Sequence, residues 1–410
     1  MYKRTNFYYG WWIVIICAVV LAVAGPASIT VANLYQEPIV AEFGITKSIY
    51  AIANTIVLGV GIISAPIMSR KYVEGRFTRL FALSLLIYGV AYASYSITPN
   101  IYIYYFISLF VGFGFSASLA LPISILLNNW FTDKIGLAIS LTYTGSGFGG
   151  VIFSQLVNWS ISEFGWRMTY LLYGGLILLI CVPLVYFFVK LDPAELGLER
   201  PKNNKVIQNQ GEEHNGLTVS SSMGKPFFIM LLIGSVLLTL SLNGAFGQFP
   251  PYIQGVHDSQ TAALVISTYS LAGVVGKLIL GALNDKFGIV FSTSVTTLFM
   301  TLSFILMLSA ENYYLMLVGA VFFGFGSAAG SIVTPLLVSA MYSGAEYAKA
   351  YGLVASGNNL GLMIGSLFVA TIADLTGSYK YAWGILAVTS ALTGVFWVGS
   401  YISSRKESKK

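Results

Sequence analysis

The chain has 410 residues, of which 56% are hydrophobic and 9% charged, and its formal net charge is +6. A soluble domain is about a quarter charged, so too few polar groups exist here to wet a globular surface, and a water-soluble enzyme or scaffold is excluded. The basic residues sit in short loops rather than in one patch, which points to a lipid bilayer and away from nucleic acid.

The opening "MYKRTNFYYGWWIVIICAVVLAVAG" has the basic flank and apolar run of a signal peptide. The run continues to about Leu34 without a small-residue cleavage site, so it reads as a retained first helix. Tyr2, Tyr8, Tyr9, Trp11 and Trp12 read as interface anchors. Cys17 and Cys181 both lie in apolar runs, where neither a structural disulfide nor a thiol metal site is expected. Apolar spans recur over 10–35, 48–69, 78–97, 101–129, 135–158 and 166–189. A second set covers 226–249, 261–284, 290–309, 314–340, 350–373 and 381–403. Between them, residues 190–225 form one long polar linker. The expected fold is an all-α membrane protein of 12 transmembrane helices: a six-helix bundle over 1–189, a cytoplasmic linker over 190–225, and a second six-helix bundle over 226–410.

Loop charges set the orientation. With both termini in the cytoplasm, the outer loops hold only Lys47, Arg167 and Lys380, while Arg70, Lys71, Arg76, Arg79, the linker lysines and the C-terminal lysines lie inside. A multi-pass protein of the cytoplasmic membrane is expected. The acidic residues fall in loops or at helix mouths, Glu37 being the nearest to an exception. One clear charge then remains in the membrane interior, Lys277 of the eighth span. It lies eight residues before Asp285, hence about 12 Å deeper along the helix, near the middle of a core about 30 Å thick.

The two halves repeat. "FVGFGFSASLALP" (110–122) pairs with "FFGFGSAAGSIVTP" (322–335), and "GLAISLTYTGSGFGG" (136–150) with "GLVASGNNLGLMIGS" (352–366). Such repeats predict two related bundles with a substrate site near the midplane between them. The spacings Gly145/Gly149 and Gly361/Gly365 predict close helix packing first and a ligand role only second.

With its six-plus-six helices, long central loop and "GALNDKFG" (281–288), the chain resembles the major facilitator superfamily. The first-half copy of that motif, "APIMSRKYVEGRFTRL", departs from it in having Ser69 near the usual Asp position. The segments "YYGWWIV", "NNWFTDKIGLAISLTYTGSGFG" and "FPPYIQ" are similar to those of bacterial monocarboxylate porters and the related oxalate/formate exchangers. The resemblance implies a secondary transporter, with Asp285 and Lys286 in a conformational latch and no enzymatic activity. It also implies that the position of Lys277, usually an Arg there, binds a substrate carboxylate. Relatives often carry an acidic residue near Gly273, available for proton coupling, and the exchangers carry a second Lys near where Asn358 falls. Both are missing here, which weakens simple proton symport and argues against a dianion that needs two cations.

Three roles are open to Lys277: anchoring a substrate anion, snorkelling to the cytoplasmic mouth, or a proton-linked step. Ser270 and Gly273 share its helix face, and Tyr269 lies beside it. Asn358 and Asn359, their repeat mates Thr142 and Tyr143, and Asn243 are the other polar candidates for substrate contact, and each can equally join helices. His214 in the linker and His257 in an outer loop have no metal-ligand company, and no nucleotide-binding or hydrolase motif occurs, so neither metal nor cofactor is expected. The favoured reading is a secondary transporter of small organic anions, monocarboxylates in particular, as a monomer, with a proton or an exchanged anion as possible co-substrate. A transporter of neutral, amino-acid-like or hydrophobic solutes, efflux included, is the first rival, and a non-transporting solute sensor the second.

Overall fold

The computed structural model describes residues 8–29, 31–131, 134–198 and 217–408. The expectations for Tyr2, His214 and the middle of the linker lie outside the described residues. No strand occurs among the described residues. The chain divides into two compact units, Met1–Lys202 and Asn203–Lys410.

The N-terminal unit contains α1 (Gly10–Ala24), α2 (Gln36–Phe43), α3 (Lys47–Glu74), α4 (Phe77–Ser94), α5 (Ile101–Ser118), α6 (Ala120–Trp130), α7 (Ile135–Leu176) and α8 (Val182–Phe188). The C-terminal unit contains α9 (Val219–Ser222), α10 (Pro226–Val256), α11 (Ser259–Phe287), α12 (Ile289–Met307), α13 (Tyr313–Ala328), α14 (Thr334–Ser339), α15 (Gly344–Thr376) and α16 (Tyr379–Glu407). Eleven helical stretches among the described residues are long and apolar enough to cross a bilayer. One of them, 135–188, has 54 residues, about 81 Å of helix and far more than one crossing requires. It turns at Gly165, whose φ of +76° is left-handed and open to glycine without steric cost. That stretch makes two passes, giving twelve among the described residues. The outer surface is what hydrocarbon demands: Leu179, Leu271 and Leu367 are 78%, 69% and 69% exposed, whereas a water-soluble surface seldom gathers such residues into broad patches.

Helix starts follow local chemistry. Asn100 caps α5 by accepting from the N–H of Ile103 at 3.0 Å, and Asp258 caps α11 by accepting from that of Thr261 at 2.6 Å. Each satisfies an otherwise orphaned donor.

The first span is corrected. The sequence reads as one helix over 10–35, but α1 ends at Ala24 and two 3-10 turns, Pro26–Ser28 and Ala32–Tyr35, lead into α2. Pro26 has no N–H, and its ring collides with the carbonyl four residues back. Backbone groups freed inside a membrane must find partners. Here tyrosine hydroxyls supply them: Tyr173 donates to the Val23 carbonyl (3.0 Å), Tyr88 to Ala24 (3.2 Å), Tyr92 to Ala27 (3.0 Å) and Tyr50 to Ala32 (2.9 Å). The rings close over the break, with Tyr35 stacked on Tyr170 at 3.9 Å and Tyr95 on Tyr104 at 4.0 Å. Arg167 ties these helix ends together. It bonds Glu42 at 2.7 Å and the carbonyls of Ser96 and Thr98 at 2.9 and 2.7 Å, while the Trp166 indole donates to Glu42 at 2.6 Å.

The internal repeat is visible in glycine seams. A Cβ at Gly145 or Gly149 would lie within 3.0 Å of the backbone of Ala18 or Ala22 on α1, and one at Gly361 or Gly365 within 3.0 Å of Val236 or Leu240 on α10. Likewise Gly112 packs on Val57 of α3, and Gly324 on Tyr269 of α11. The fourth span of each unit is interrupted before a proline. α5 gives way to α6 at Leu119, three residues before Pro122, and a widened turn at Ala329–Val333 precedes Pro335.

Candidate substrate site around Lys277

Three helices of the C-terminal unit shape the surroundings of Lys277. α11 carries it, α13 packs along one face of α11, and α10 contacts both α11 and α15. Gly276 and Gly324 allow the α11–α13 approach: a Cβ at Gly276 would sit 3.0 Å from the Cα of Phe325. Tyr269 belongs to the same packed side, 7% exposed and edge-on to Phe246 and Phe323 at 5.6 and 5.5 Å. Lys277 lies at the border of this packed side and is half-buried, while Ser270, two turns away on the same face, is exposed. Gly273 lies between them, with the Ser327 hydroxyl 3.4 Å from where its Cβ would be. That hydroxyl donates to the Gly324 carbonyl at 2.7 Å. Lys277 makes no hydrogen bond or ion pair with any described residue.

The polar candidates sort into two kinds. Asn243 is committed to helix joining, its Nδ2 donating to the Leu362 carbonyl on α15 at 2.5 Å. Asn358 and Asn359 stand about 100° apart around α15. Asn358 keeps a buried Oδ1 with no hydrogen-bond partner among the described residues, and Asn359 is 8% exposed. No hydrogen bond links Lys277 to Asn243, Asn358 or Asn359. In the N-terminal unit, Thr142 is fully buried and donates to the Ala138 carbonyl at 2.8 Å, and the Tyr143 hydroxyl meets that of Ser124 at 3.4 Å. Asp285 and Lys286 are exposed at the end of α11, with the ammonium of Lys286 5.1 Å above the Phe287 ring. Asn284 beside them accepts from Ser292 at 3.0 Å and fastens α11 to α12. Ser69, near the corresponding point of the first half, is buried and donates to the Pro66 carbonyl at 2.9 Å.

Sequence reasoning passed over one polar tie. Gln248 on α10 donates to the Ser366 hydroxyl of α15 at 3.1 Å and accepts from Tyr379 of α16 at 3.1 Å. Its position in "NGAFGQFPP", a glutamine inside an apolar stretch, was the available signal.

The sequence profile described as Major Facilitator Superfamily matches residues 15–260 and 231–410. Human monocarboxylate transporter 2 is 25% identical, the match covering 98% of this chain and 88% of that protein. Human monocarboxylate transporter 12 is 22% identical over 68% of this chain and 59% of its own length. An uncharacterised MFS-type transporter of Escherichia coli K12 is 27% identical over 57% of this chain and 56% of its own. Among solved structures, the proton:xylose symporter XylE bound to 6-bromo-6-deoxy-D-glucose superposes with a TM-score of 0.73 at 14% identity, covering 95% of each chain. That likeness is one of fold. The chain is a multi-pass membrane transporter rather than an enzyme, and it belongs to the Major Facilitator Superfamily.

Proposed function

We propose that this transporter moves small monocarboxylates across the cytoplasmic membrane by alternating access, with the Lys277 ammonium anchoring the carboxylate. One observation carries the proposal: Lys277 is half-buried inside a span and has no hydrogen-bond or ion-pair partner among the described residues. A lysine at the centre of a membrane helix costs about 2.5–3.5 kcal/mol. An anionic substrate supplies the missing countercharge through a charge-assisted hydrogen bond. Lysine offers a point charge rather than a two-pronged fork, which suits a single carboxylate. Ser270 on the same face, and Asn358 and Asn359 with amide groups to spare, are available to the rest of a small acid. Thr142 and Tyr143 are their repeat counterparts, whereas Tyr269 supports the site by packing and Asn243 by its hydrogen bond to α15. By the resemblance of "GALNDKFG" we assign Asp285 and Lys286 to the conformational latch, and we take a monomer as the working unit. Both human relatives reported above carry the name monocarboxylate transporter, which supports the substrate class. Proton symport, exchange for a second anion and uniport are all compatible with this site.

The test is substrate affinity on purified variants of confirmed yield and monodispersity. Removing one partner of a desolvated charge pair costs about 2–5 kcal/mol, so Lys277→Ala should weaken acid binding at least about tenfold. Lys277→Gln should match it, and Lys277→Arg should retain part of the affinity. Unchanged affinity in a well-folded Ala variant overturns the anchor and leaves snorkelling. Counterflow in proteoliposomes, with short monocarboxylic acids set beside neutral solutes of equal size, separates the acid reading from the neutral-solute one.

A further inference from the structure

The break in α1 borders a cavity inside the N-terminal unit. Its volume is about 40 Å³, room for on the order of three water-sized bodies. Ala27, Ser28 and Ala32 of the break line it together with Tyr50, Tyr104 and Tyr170. Exposed Asn33 and Asn54 line the mouth.

This lining is rich in oxygen lone pairs. Tyr50 has committed its one O–H to the Ala32 carbonyl, and Tyr92 has committed its own to Ala27. With its hydrogen spent, the Tyr50 oxygen can only accept further. Tyr104 and Tyr170 share a single hydrogen bond of 2.7 Å between their hydroxyls, which leaves one O–H of the pair to donate and lone pairs on both oxygens. Ser28 is paired with Tyr88 at 2.7 Å. A hydroxyl that has donated keeps lone pairs, and a carbonyl that has accepted once has a second lone pair. α1 also ends here, at Ala24, so the negative end of its dipole lies beside the cavity. Unwound carbonyls and half-helix C-termini are how discontinuous membrane helices hold coupling ions.

We propose that this cavity is a binding site for a small monovalent cation, held by neutral oxygens of the α1 break and of the surrounding tyrosines. Hard cations take oxygen ligands. No carboxylate lines the cavity to offset the desolvation of a second positive charge, which favours a monovalent ion over a divalent one. The site lies within the N-terminal unit and does not depend on Lys277 or on which solute is carried. In a transporter it would make the cation a partner of solute flux.

The test is thermal unfolding of the full-length purified protein, titrated with LiCl, NaCl or KCl against choline chloride at constant ionic strength. At least one of the three cations should raise Tm saturably where choline does not. Tyr50→Phe keeps the ring and removes one ligand oxygen, so its midpoint should move up at least about tenfold, the scale of a lost hydrogen bond to a charge. Tyr104→Phe should do likewise, and it serves alone if Tyr50→Phe fails to fold. Tyr252→Phe, whose hydroxyl bonds Met307 in the C-terminal unit, should leave the midpoint where it was. Identical Tm values in all four chlorides would overturn the proposal and leave a water-filled cavity. A saturable shift that neither phenylalanine variant moves would also overturn it, by placing the ion elsewhere.

Discussion

A buried amide can serve a ligand or a neighbouring helix, and its hydrogen bonds tell which. Asn243 has spent its donor on Leu362, whereas Asn358 holds a buried oxygen with no partner among the described residues. Asn243→Ala should therefore lower stability by about 1 kcal/mol, the net worth of one hydrogen bond, and leave substrate affinity near normal. Asn358→Ala or Asn359→Ala should leave Tm almost unchanged and weaken substrate affinity several-fold, about 1 kcal/mol. Parallel melting and binding measurements on the three variants read both quantities. If the Asn358 and Asn359 variants both keep full affinity, the substrate lies elsewhere. At this scale Lys277 is legible in the sequence because charge is scarce: a single ammonium inside a span needs no geometry to be noticed. The asparagines are not, because "NN" in a helix and "SLN" in another look alike until a partner carbonyl is placed beside one of them. The tyrosines around the α1 break are less legible still. They come from three helices, and only Tyr88 and Tyr92 share one, four residues apart on α4; one by one they resemble membrane-interface residues.

Helices in a membrane gain no hydrophobic drive from meeting one another, so close backbone contact decides which pairs form. The seams at Gly145/Gly149 and Gly361/Gly365 supply it, and the facing atoms are largely backbone rather than flexible side chain. Gly149→Val or Gly365→Val should cost at least about 1–3 kcal/mol through overpacking, seen as lower Tm and poor recovery of monodisperse protein. Gly384→Ala meets nothing within 4 Å and should hold or raise Tm, since alanine is the better helix former. Equal melting of the valine and alanine variants would mean that the seams do not hold these helices together. The seams can be read from sequence because small-xxx-small spacing survives in both halves. The end of α1 is harder to see. "AGPAS" carries a breaker, but the apolar run hides it, and only tyrosines distant in sequence make a broken span tolerable in hydrocarbon.

Across the whole molecule, the pattern of spans and the pairing of glycine motifs make the fold class readable before any coordinates. Twelve apolar runs must cross a bilayer, and two similar sets of six must build similar units. Orientation is a separate matter, carried by charge in the loops. Basic residues flanking spans stay on the cytoplasmic side. Arg70, Lys71, Arg76 and Arg79 cluster where α3 gives way to α4, while the opposite ends of the spans hold Lys47, Arg167 and Lys380. Two of these three cations are also paired. Arg167 pairs with Glu42 at 2.7 Å, and Lys380 pairs with Glu311 at 2.9 Å and holds its carboxyl below the ordinary range. Both native cysteines are buried, so a single introduced thiol can be read against a low background. Arg76→Cys and Lys380→Cys both replace exposed side chains, and losing the Lys380 surface pair costs at most about 1 kcal/mol. A membrane-impermeant maleimide added to intact cells should label position 380 and spare position 76, and permeabilised cells should label both. Labelling at 76 with protection at 380 in intact cells would invert the topology and place the α1 break on the cytoplasmic side.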